Sequence, residues 1–168
     1  EYVPAFYVNQ HANADERLTD YERYVANCEE LGVAGVKDAL DRMIVCDDII
    51  ANYDRHWRNF GLVRNVNSLA CRPAPIFDSG SSLWCNISLE ELKAGGHSFT
   101  SAQFHSSPAK QMLLVEDMGW FDGDKLEGFV DEAIEILSRN DALTARLPYL
   151  KEALTWRLER MINIAEWS

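Results

Sequence analysis

The segment ANYDRHWRNFG, residues 51–61, lies where a helical pattern of apolar residues gives way to a strand-like one. A run with apolar residues at intervals of three and four precedes it, and LVRNV, residues 62–66, follows it. A turn needs Gly, Pro, Asn or Asp to set its backbone angles, but it does not need two Arg, a His, a Trp and a Phe as well. The segment is therefore a candidate functional loop.

A small β hairpin is predicted directly after this loop. Strands are expected at about residues 60–66 and 69–77, where apolar residues are bounded by turn signals. Pro73 and Pro75 make the second strand short or place it at an edge, because Pro cannot donate to a strand ladder. The sequence Asp78-Ser-Gly80 marks a turn away from the hairpin.

The rest of the chain is predicted to be mostly helical. A helix over about residues 37–51 leads into the loop and carries Asp47 on or near its apolar stripe. A polar surface loop is expected from His97 to Pro108. No repeat or linker divides residues 1–168, so the predicted fold class is mainly α with a small β hairpin, in a single domain. Capping patterns and helical periodicity predict further helices around residues 19–31, 88–95, 126–137 and 147–165.

Composition and charge narrow the function classes. The 168 residues are 47% hydrophobic and carry 16 basic and 27 acidic side chains, a formal net charge of -11. This charge repels phosphate backbones, so neither direct nucleic-acid binding nor membrane binding is expected. Four scattered Cys and four His show no zinc-ligand spacing, and reduced thiols indicate a cytoplasmic protein. Because residue 1 is Glu and not Met, we expect the chain to begin inside a longer protein.

Three polar residues surround the predicted hairpin: Asp54 and Asn59 in the loop, and Asp78 after the returning strand. A hairpin brings its two ends together, so Asn59 and Asp78 are expected to be neighbours, with Asp54 one short loop away. Carboxylate and amide oxygens suit Mg²⁺, which takes one or two protein carboxylates and completes its shell with phosphate and water. The remaining carboxylate could accept a hydroxyl proton, the division of roles seen in phosphoryl transfer.

The segments ANYDRHWRNFGLV, residues 51–63, and APIFDSG, residues 74–80, resemble the catalytic loop and metal-binding segment of HipA-like serine/threonine kinases. The resemblance is sharp over about residues 38–84. It implies the C-terminal lobe of a protein-kinase-like fold, with Asp54 as catalytic base, Asn59 as a metal ligand and Asp78 as the principal metal ligand. ATP and Mg²⁺ are the implied cofactors, and a protein serine or threonine hydroxyl is the implied acceptor.

The resemblance also implies partners for this chain. No glycine-rich phosphate loop and no strand with a nucleotide-pairing Lys occur in the sequence, so the N-terminal lobe of the kinase is expected to be missing from it. This chain alone is then expected to be inactive. The implied partners are that lobe, a protein substrate and, because HipA-like kinases are known from toxin–antitoxin modules, an antitoxin-type protein.

Two other function classes remain open. Lipid kinases of the phosphoinositide type also use D-R-H-x-x-N, so a lipid or small-molecule kinase is one alternative. A non-catalytic kinase-like interaction module of a phage or mobile-element regulator is the other.

The roles of the remaining loop residues are less specific. His56 is expected either to contact the transferred phosphate or to make a structural hydrogen bond to the backbone. Arg55 and Arg58 are expected to be solvated or to pair with the acidic surface, and Trp57 and Phe60 to anchor the loop by packing. Asp47 and Asp48 are expected to cap or brace the loop.

Overall fold

The computed structural model describes residues 1–10, 17–95 and 98–167, which form a mainly helical domain with a small three-stranded antiparallel sheet. His97, at the start of the predicted surface loop, lies outside the described residues. Two 3₁₀ turns, Gly123–Leu126 and Asp141–Leu143, flank the sixth helix. The strands and helices, in chain order, are β1 (Tyr2–Pro4), α1 (Ala5–Asn9), α2 (Asp20–Glu30), α3 (Val36–Ile50), β2 (Gly61–Arg64), β3 (Cys71–Pro73), α4 (Leu89–Lys93), α5 (Pro108–Met112), α6 (Phe129–Ser138) and α7 (Leu147–Glu166).

The long helices lie where the sequence predicts them. At the start of α2, Thr19 Oγ1 accepts the backbone N–H of Glu22, and the Glu22 carboxylate accepts the backbone N–H of Thr19, so both halves of the capping box form. Helix α3 ends at Ile50, and the residue that follows it, Ala51, has a left-handed backbone with φ of 52°. A non-glycine residue in this region is uncommon, and here it turns the chain sharply out of the helix into the loop.

The sheet contains the predicted hairpin and one strand more. Both hairpin strands are shorter than predicted, and β3 is an edge strand, as Pro73 and Pro75 indicate. The additional strand, β1, pairs antiparallel with β2 on its other side, so the sheet order is β1-β2-β3. The sequence analysis did not identify β1, because three residues are too few to show an alternating pattern.

An aromatic cluster lies under the sheet and the loop. The rings of Trp57 and Phe60 lie 5.4 Å apart, centroid to centroid, and the rings of Tyr24 and Phe104 pack against them. The predicted anchoring role of Trp57 and Phe60 is therefore confirmed. The prediction of a simple surface loop from residue 97 to 108 is wrong, because Phe104 packs into this cluster and Gln103 is buried. Phe99 packs inward as well, against a second core cluster. Two inward-facing aromatic residues five positions apart in a polar segment give no periodicity that reveals its burial.

Helix α3 also packs against α7 through a buried ionic contact. The Asp48 carboxylate pairs with Arg157 at 3.2 Å and with Arg160 at 2.7 Å, and Arg157 Nη1 also donates to the backbone oxygen of Asp48. Asp48 therefore joins α3 to α7 and does not brace the loop, whereas Asp47 on the same turn does. In the part of the chain that the structure describes, no helix is both long and apolar enough to cross a membrane.

Gly61 allows the close approach of β1 to β2. A Cβ atom at this position would lie 2.2 Å from the carbonyl oxygen of Val3 and 2.7 Å from the backbone nitrogen of Ala5. We predict that Gly61→Ala lowers the free energy of unfolding by about 3 kcal/mol, the upper range for overpacking, because backbone atoms of β1 must move. Urea unfolding measures the change. Gly80→Ala, where a Cβ meets nothing within 4 Å, is the control and should change stability little; equal effects of the two variants would contradict the prediction.

Asp41 of α3 is also buried, and its carboxylate binds the backbone of residues 116–117, which precede the first 3₁₀ turn. One of its oxygens accepts the backbone N–H groups of Glu116 and Asp117 at 3.3 and 3.1 Å. Burial raises the pKa of the Asp41 carboxyl above its ordinary value, although these two hydrogen bonds oppose the shift.

This raised pKa predicts a pH-dependent stability. Protonated Asp41 contributes to the free energy of unfolding, and this contribution is fully present below the pKa of the unfolded chain, about 3.9. It is lost as the pH rises through the pKa of the folded protein, because the carboxyl loses its proton at a lower pH in the unfolded chain than in the folded protein. Asn is neutral at every pH and keeps an acceptor oxygen. We therefore predict that Asp41→Asn gains stability relative to the parent protein as the pH rises from about 4 to about 7. Urea unfolding across this range tests it, and a difference that does not change with pH would contradict it.

Candidate active site

The loop begins with side-chain and backbone bonds that tie it to the last turn of α3. The side-chain amide of Asn52 donates to the Asp47 carboxylate at 2.9 Å, and its backbone N–H donates to the Asp47 backbone oxygen at 2.9 Å. The Asn52 side-chain oxygen in turn accepts the backbone N–H of Asp54 at 3.1 Å. Asn52 and Asp47 are both buried, so the path of the chain into Asp54 is fixed by contacts that water does not reach.

Arg55 is the centre of the loop. Its side chain is completely buried, and its Nε and Nη2 donate to the two Asp47 carboxylate oxygens at 2.8 and 2.9 Å, which is a bidentate ion pair. Nη1 donates to the backbone oxygen of Asn59 at 2.8 Å and to that of Phe77, and Nη2 also donates to Ser79 Oγ at 3.2 Å. A guanidinium has five N–H donors. All five are engaged, and they join α3, the loop and the segment after β3.

These contacts correct the sequence analysis at Arg55. A solvated side chain or a surface pair was expected, whereas Arg55 forms a buried ion pair with Asp47. The expected bracing role of Asp47 is confirmed. The signal that could have identified the pair is the position of Asp47 on the apolar face of α3, because a buried carboxylate requires a cation or several donors.

The backbone at Asn59 lies close to the backbone just before Asp78. The carbonyl oxygens of Asn59 and Phe77 accept from the same nitrogen of Arg55, so two hydrogen-bond lengths place them within about 6 Å of each other. The hairpin thus brings its two ends together, as its topology predicts. That the side chains of Asp54, Asn59 and Asp78 share one cation stays a prediction.

The three predicted site residues differ in exposure. Asn59 is buried, and its side-chain N–H donates to the backbone oxygen of Asp54 at 3.0 Å, which leaves its side-chain oxygen available. Asp54 is half-buried, and Asp78 is exposed with a left-handed backbone, φ of 53°. No residue of the described ranges donates a hydrogen bond to the side-chain oxygens of these three residues.

This set of oxygen atoms fits magnesium better than a soft metal. Mg²⁺ prefers carboxylate and carbonyl oxygens and needs only one or two protein carboxylates when phosphate supplies the rest. In residues 1–10, 17–95 and 98–167, no group of three or more His, Cys, Asp or Glu side chains is arranged to hold a metal ion. A metal bound at Asn59 and Asp78 would therefore take the rest of its ligands from water or phosphate.

His56 lies on the exposed side of the loop. Its Nδ1 accepts the backbone N–H of Arg58 at 3.2 Å, so it makes a structural hydrogen bond of the kind that the sequence left open. Its backbone N–H donates to Asp54, and its backbone oxygen accepts from Asn59, both at 2.8 Å. These bonds curl the loop into a tight turn between the two residues. A contact of His56 with a transferred phosphate stays a prediction.

The N-terminal segment supports the loop from outside. The Tyr2 hydroxyl donates to the backbone oxygens of Arg58 and Phe60 at 3.0 and 2.7 Å. The backbone N–H of Phe6 donates to the backbone oxygen of Trp57 at 2.8 Å. The Arg58 guanidinium lies over the Phe6 ring, 4.7 Å from its centroid, which is a cation–π contact. The sequence contains no signal for these contacts, because they join residues more than fifty positions apart.

An open groove of about 1130 Å³ lies elsewhere, between residues 119–128 and α7, and it includes none of the loop residues. The cavity that borders Arg55 and Asn59 measures only about 30 Å³. Ligand pockets usually measure about 300–1,000 Å³. A nucleotide would therefore lie on the exposed side of the loop, where Asp54 and Asp78 are accessible.

A comparison with known proteins gives one short similarity. A segment of 42 residues, 25% of this chain, is 48% identical to the serine/threonine-protein kinase CtkA of Helicobacter pylori (strain J99 / ATCC 700824). The match covers 13% of the length of that kinase. No family model and no solved structure matches this chain. The similarity supports a kinase-like protein and does not show a finer family.

The buried ion pair predicts a strong energetic coupling. We expect Asp47→Ala and Arg55→Ala each to lower the free energy of unfolding by about 3–5 kcal/mol, because each leaves a buried charge without its partner. The double variant should lose less than the sum, with a coupling energy of about 2–3 kcal/mol. Urea unfolding of the four proteins measures it.

The control is the exposed pair Asp38 and Arg42 on the same helix, which is 3.0 Å apart. Solvent screening limits its coupling to less than about 1 kcal/mol. Additive effects at the Asp47–Arg55 pair, or equal coupling in both pairs, would contradict the assignment of a buried ion pair.

Proposed function

We propose that this chain is the C-terminal lobe of a HipA-like kinase that transfers the γ-phosphate of ATP to a serine or threonine hydroxyl of a protein. The observation that carries the proposal is the shared guanidinium of Arg55, which fastens the backbone of Asn59 to the backbone that precedes Asp78. The short similarity to a serine/threonine kinase supports the same reaction class.

Each candidate residue has a distinct chemical role in this proposal. Asp54 accepts the proton of the attacking hydroxyl, and its half-buried carboxylate has no competing hydrogen-bond donor among the described residues. Asn59 and Asp78 hold Mg²⁺ on the phosphates of ATP. When bound, the metal supplies neutralisation of the charge that develops on the transferred group. His56, exposed beside Asp54, is proposed to donate to the phosphate.

The other wall of the site is proposed to come from an N-terminal lobe. A kinase needs a phosphate-covering loop and a Lys held by an ion pair, and this chain has neither sequence motif. The cavity beside Arg55, about 30 Å³, is too small for a nucleotide, which supports a nucleotide site on the exposed side of the loop, covered by that second lobe. The proposed partners are that lobe, a protein substrate and an antitoxin-type protein; the proposed location is the cytoplasm.

The proposed base is tested by one substitution in the full-length kinase. We predict that Asp54→Asn lowers the turnover number for phosphate transfer by a factor of about 10²–10⁴, because Asn cannot accept the hydroxyl proton. The assay follows transfer of labelled γ-phosphate to protein, with the unfolding midpoint measured in parallel. Since the Asp54 carboxylate makes no hydrogen bond to another described residue, the midpoint should not change.

Asp124→Asn, on an exposed turn that shares no contact with the loop, is the matched control and should keep full turnover. Unchanged turnover in Asp54→Asn would rule out the proposed base. Transfer to inositides or small alcohols in place of protein would favour the lipid-kinase alternative. Absence of any magnesium-dependent nucleotide binding by calorimetry would favour a non-catalytic module.

A further inference from the structure

The segment that carries Asp78 has few attachments to the rest of the domain. It has no regular secondary structure from residue 74 to residue 80. Among the described residues, the hydrogen bonds that join residues 75–80 to a segment distant in sequence are those from Arg55 to the Phe77 carbonyl and to Ser79 Oγ. Ser82 Oγ and Cys85 Sγ add local bonds to the backbone oxygens of Ser79 and Gly80. The Tyr2 ring adds an edge contact to the Phe77 ring, with centroids 5.1 Å apart.

Arg55 therefore holds both sides of the proposed metal site at once. Its Nη1 donates to the backbone oxygen of Phe77, the residue directly before Asp78, and to the backbone oxygen of Asn59. All of its donors are used, so it has none left for a substrate or a phosphate. Asp47 fixes the plane of the guanidinium through two bonds and so sets the direction of the others.

We infer that Asp47 and Arg55 are positioning residues that set the affinity of the site for a divalent cation, by fixing the spacing between Asn59 and Asp78. This inference rests on the proposed function, since it assumes that these two residues bind the metal. Neither positioning residue touches the cation. Residues that orient metal ligands in this way typically change metal affinity about 10–100-fold when they are substituted.

The chain offers a matched control for a purely structural role. Asp48 follows Asp47 on the same helix, and both side chains are buried to the same extent, with 3% of each residue exposed. Asp48 is also paired with arginine, but its partners Arg157 and Arg160 belong to α7. Asp47→Asn and Asp48→Asn therefore each remove a buried negative charge beside an arginine. Of the two carboxylates, only that of Asp47 is paired with an arginine of the loop.

The test is direct metal binding by the 168-residue chain. Mn²⁺ serves as the probe, because it takes oxygen ligands like Mg²⁺ and broadens the NMR signals of nearby amides. In the parent protein, the backbone amide signals of Asn59 and Asp78 should broaden together at the same Mn²⁺ concentration. Asp47→Asn and Arg55→Lys should need about 10–100-fold more Mn²⁺, while Asp48→Asn should behave like the parent.

A variant with a smaller structural change tests the inference in a protein that is expected to stay folded. Ser79→Ala removes one acceptor of Arg55 and leaves the Asp47 pair intact, so we expect a loss of Mn²⁺ affinity of about two- to fivefold, from one hydrogen bond of about 0.5–1 kcal/mol. Amide chemical shifts of the core residues report whether each variant is folded.

The outcomes separate the inference from the proposed function. The inference is overturned, and the proposed metal site stands, if two results are found together. Mn²⁺ broadens the amide signals of both Asn59 and Asp78 in the parent protein, and the three variants Asp47→Asn, Arg55→Lys and Ser79→Ala bind Mn²⁺ as tightly as the parent does. Equal loss of affinity in Asp47→Asn and Asp48→Asn would also overturn it, because the effect would then be one of stability alone. If Mn²⁺ broadens neither residue in the parent protein, the proposed metal site fails and the inference fails with it.

Discussion

The bidentate ion pair between Asp47 and Arg55 is the interaction on which the site depends. A buried carboxylate and a buried guanidinium are each costly to remove from water, so each is tolerated only because the other is present. The pair has a further consequence, because a guanidinium bound at one edge presents its remaining donors in fixed directions. These donors reach Asn59, Phe77 and Ser79, which belong to segments separated by the whole hairpin.

The sequence predicts most of the scaffold, because helices and capping boxes are local features. The bounds of α2, α3 and α7 follow from periodicity, and the edge position of β3 follows from its prolines. The strand β1 and the packing of Phe104 into the aromatic cluster were not predicted. Both depend on contacts between distant segments, and a three-residue strand or one inward-facing ring leaves no period in the sequence.

The approach of the two hairpin ends was predicted, but the side chain that links them was not. The spacing of Asp54, Asn59 and Asp78 around a hairpin predicts that these residues converge. The structure brings the backbones at the two ends of the hairpin together, and a shared cation stays a prediction. The sequence could not show that Arg55 is the link, because an arginine in a polar loop is solvated in most proteins. Only the position of Asp47 on an apolar helix face indicated that a buried cation was required nearby.

We propose, as the basis of the whole interpretation, that the side chains of Asn59 and Asp78 bind a metal ion for phosphoryl transfer, and that the Arg55 guanidinium sets their spacing through the backbone oxygens of Asn59 and Phe77. A crystal structure of the protein with Mg²⁺ and a non-hydrolysable ATP analogue is the measurement that tests this proposal. The account predicts one Mg²⁺ at about 2.0–2.1 Å from the side-chain oxygens of Asn59 and Asp78, with the Asp54 carboxylate facing the γ-phosphate. Side-chain oxygens of Asn59 and Asp78 more than about 5–6 Å apart, too far to share a cation with such bond lengths, would contradict it.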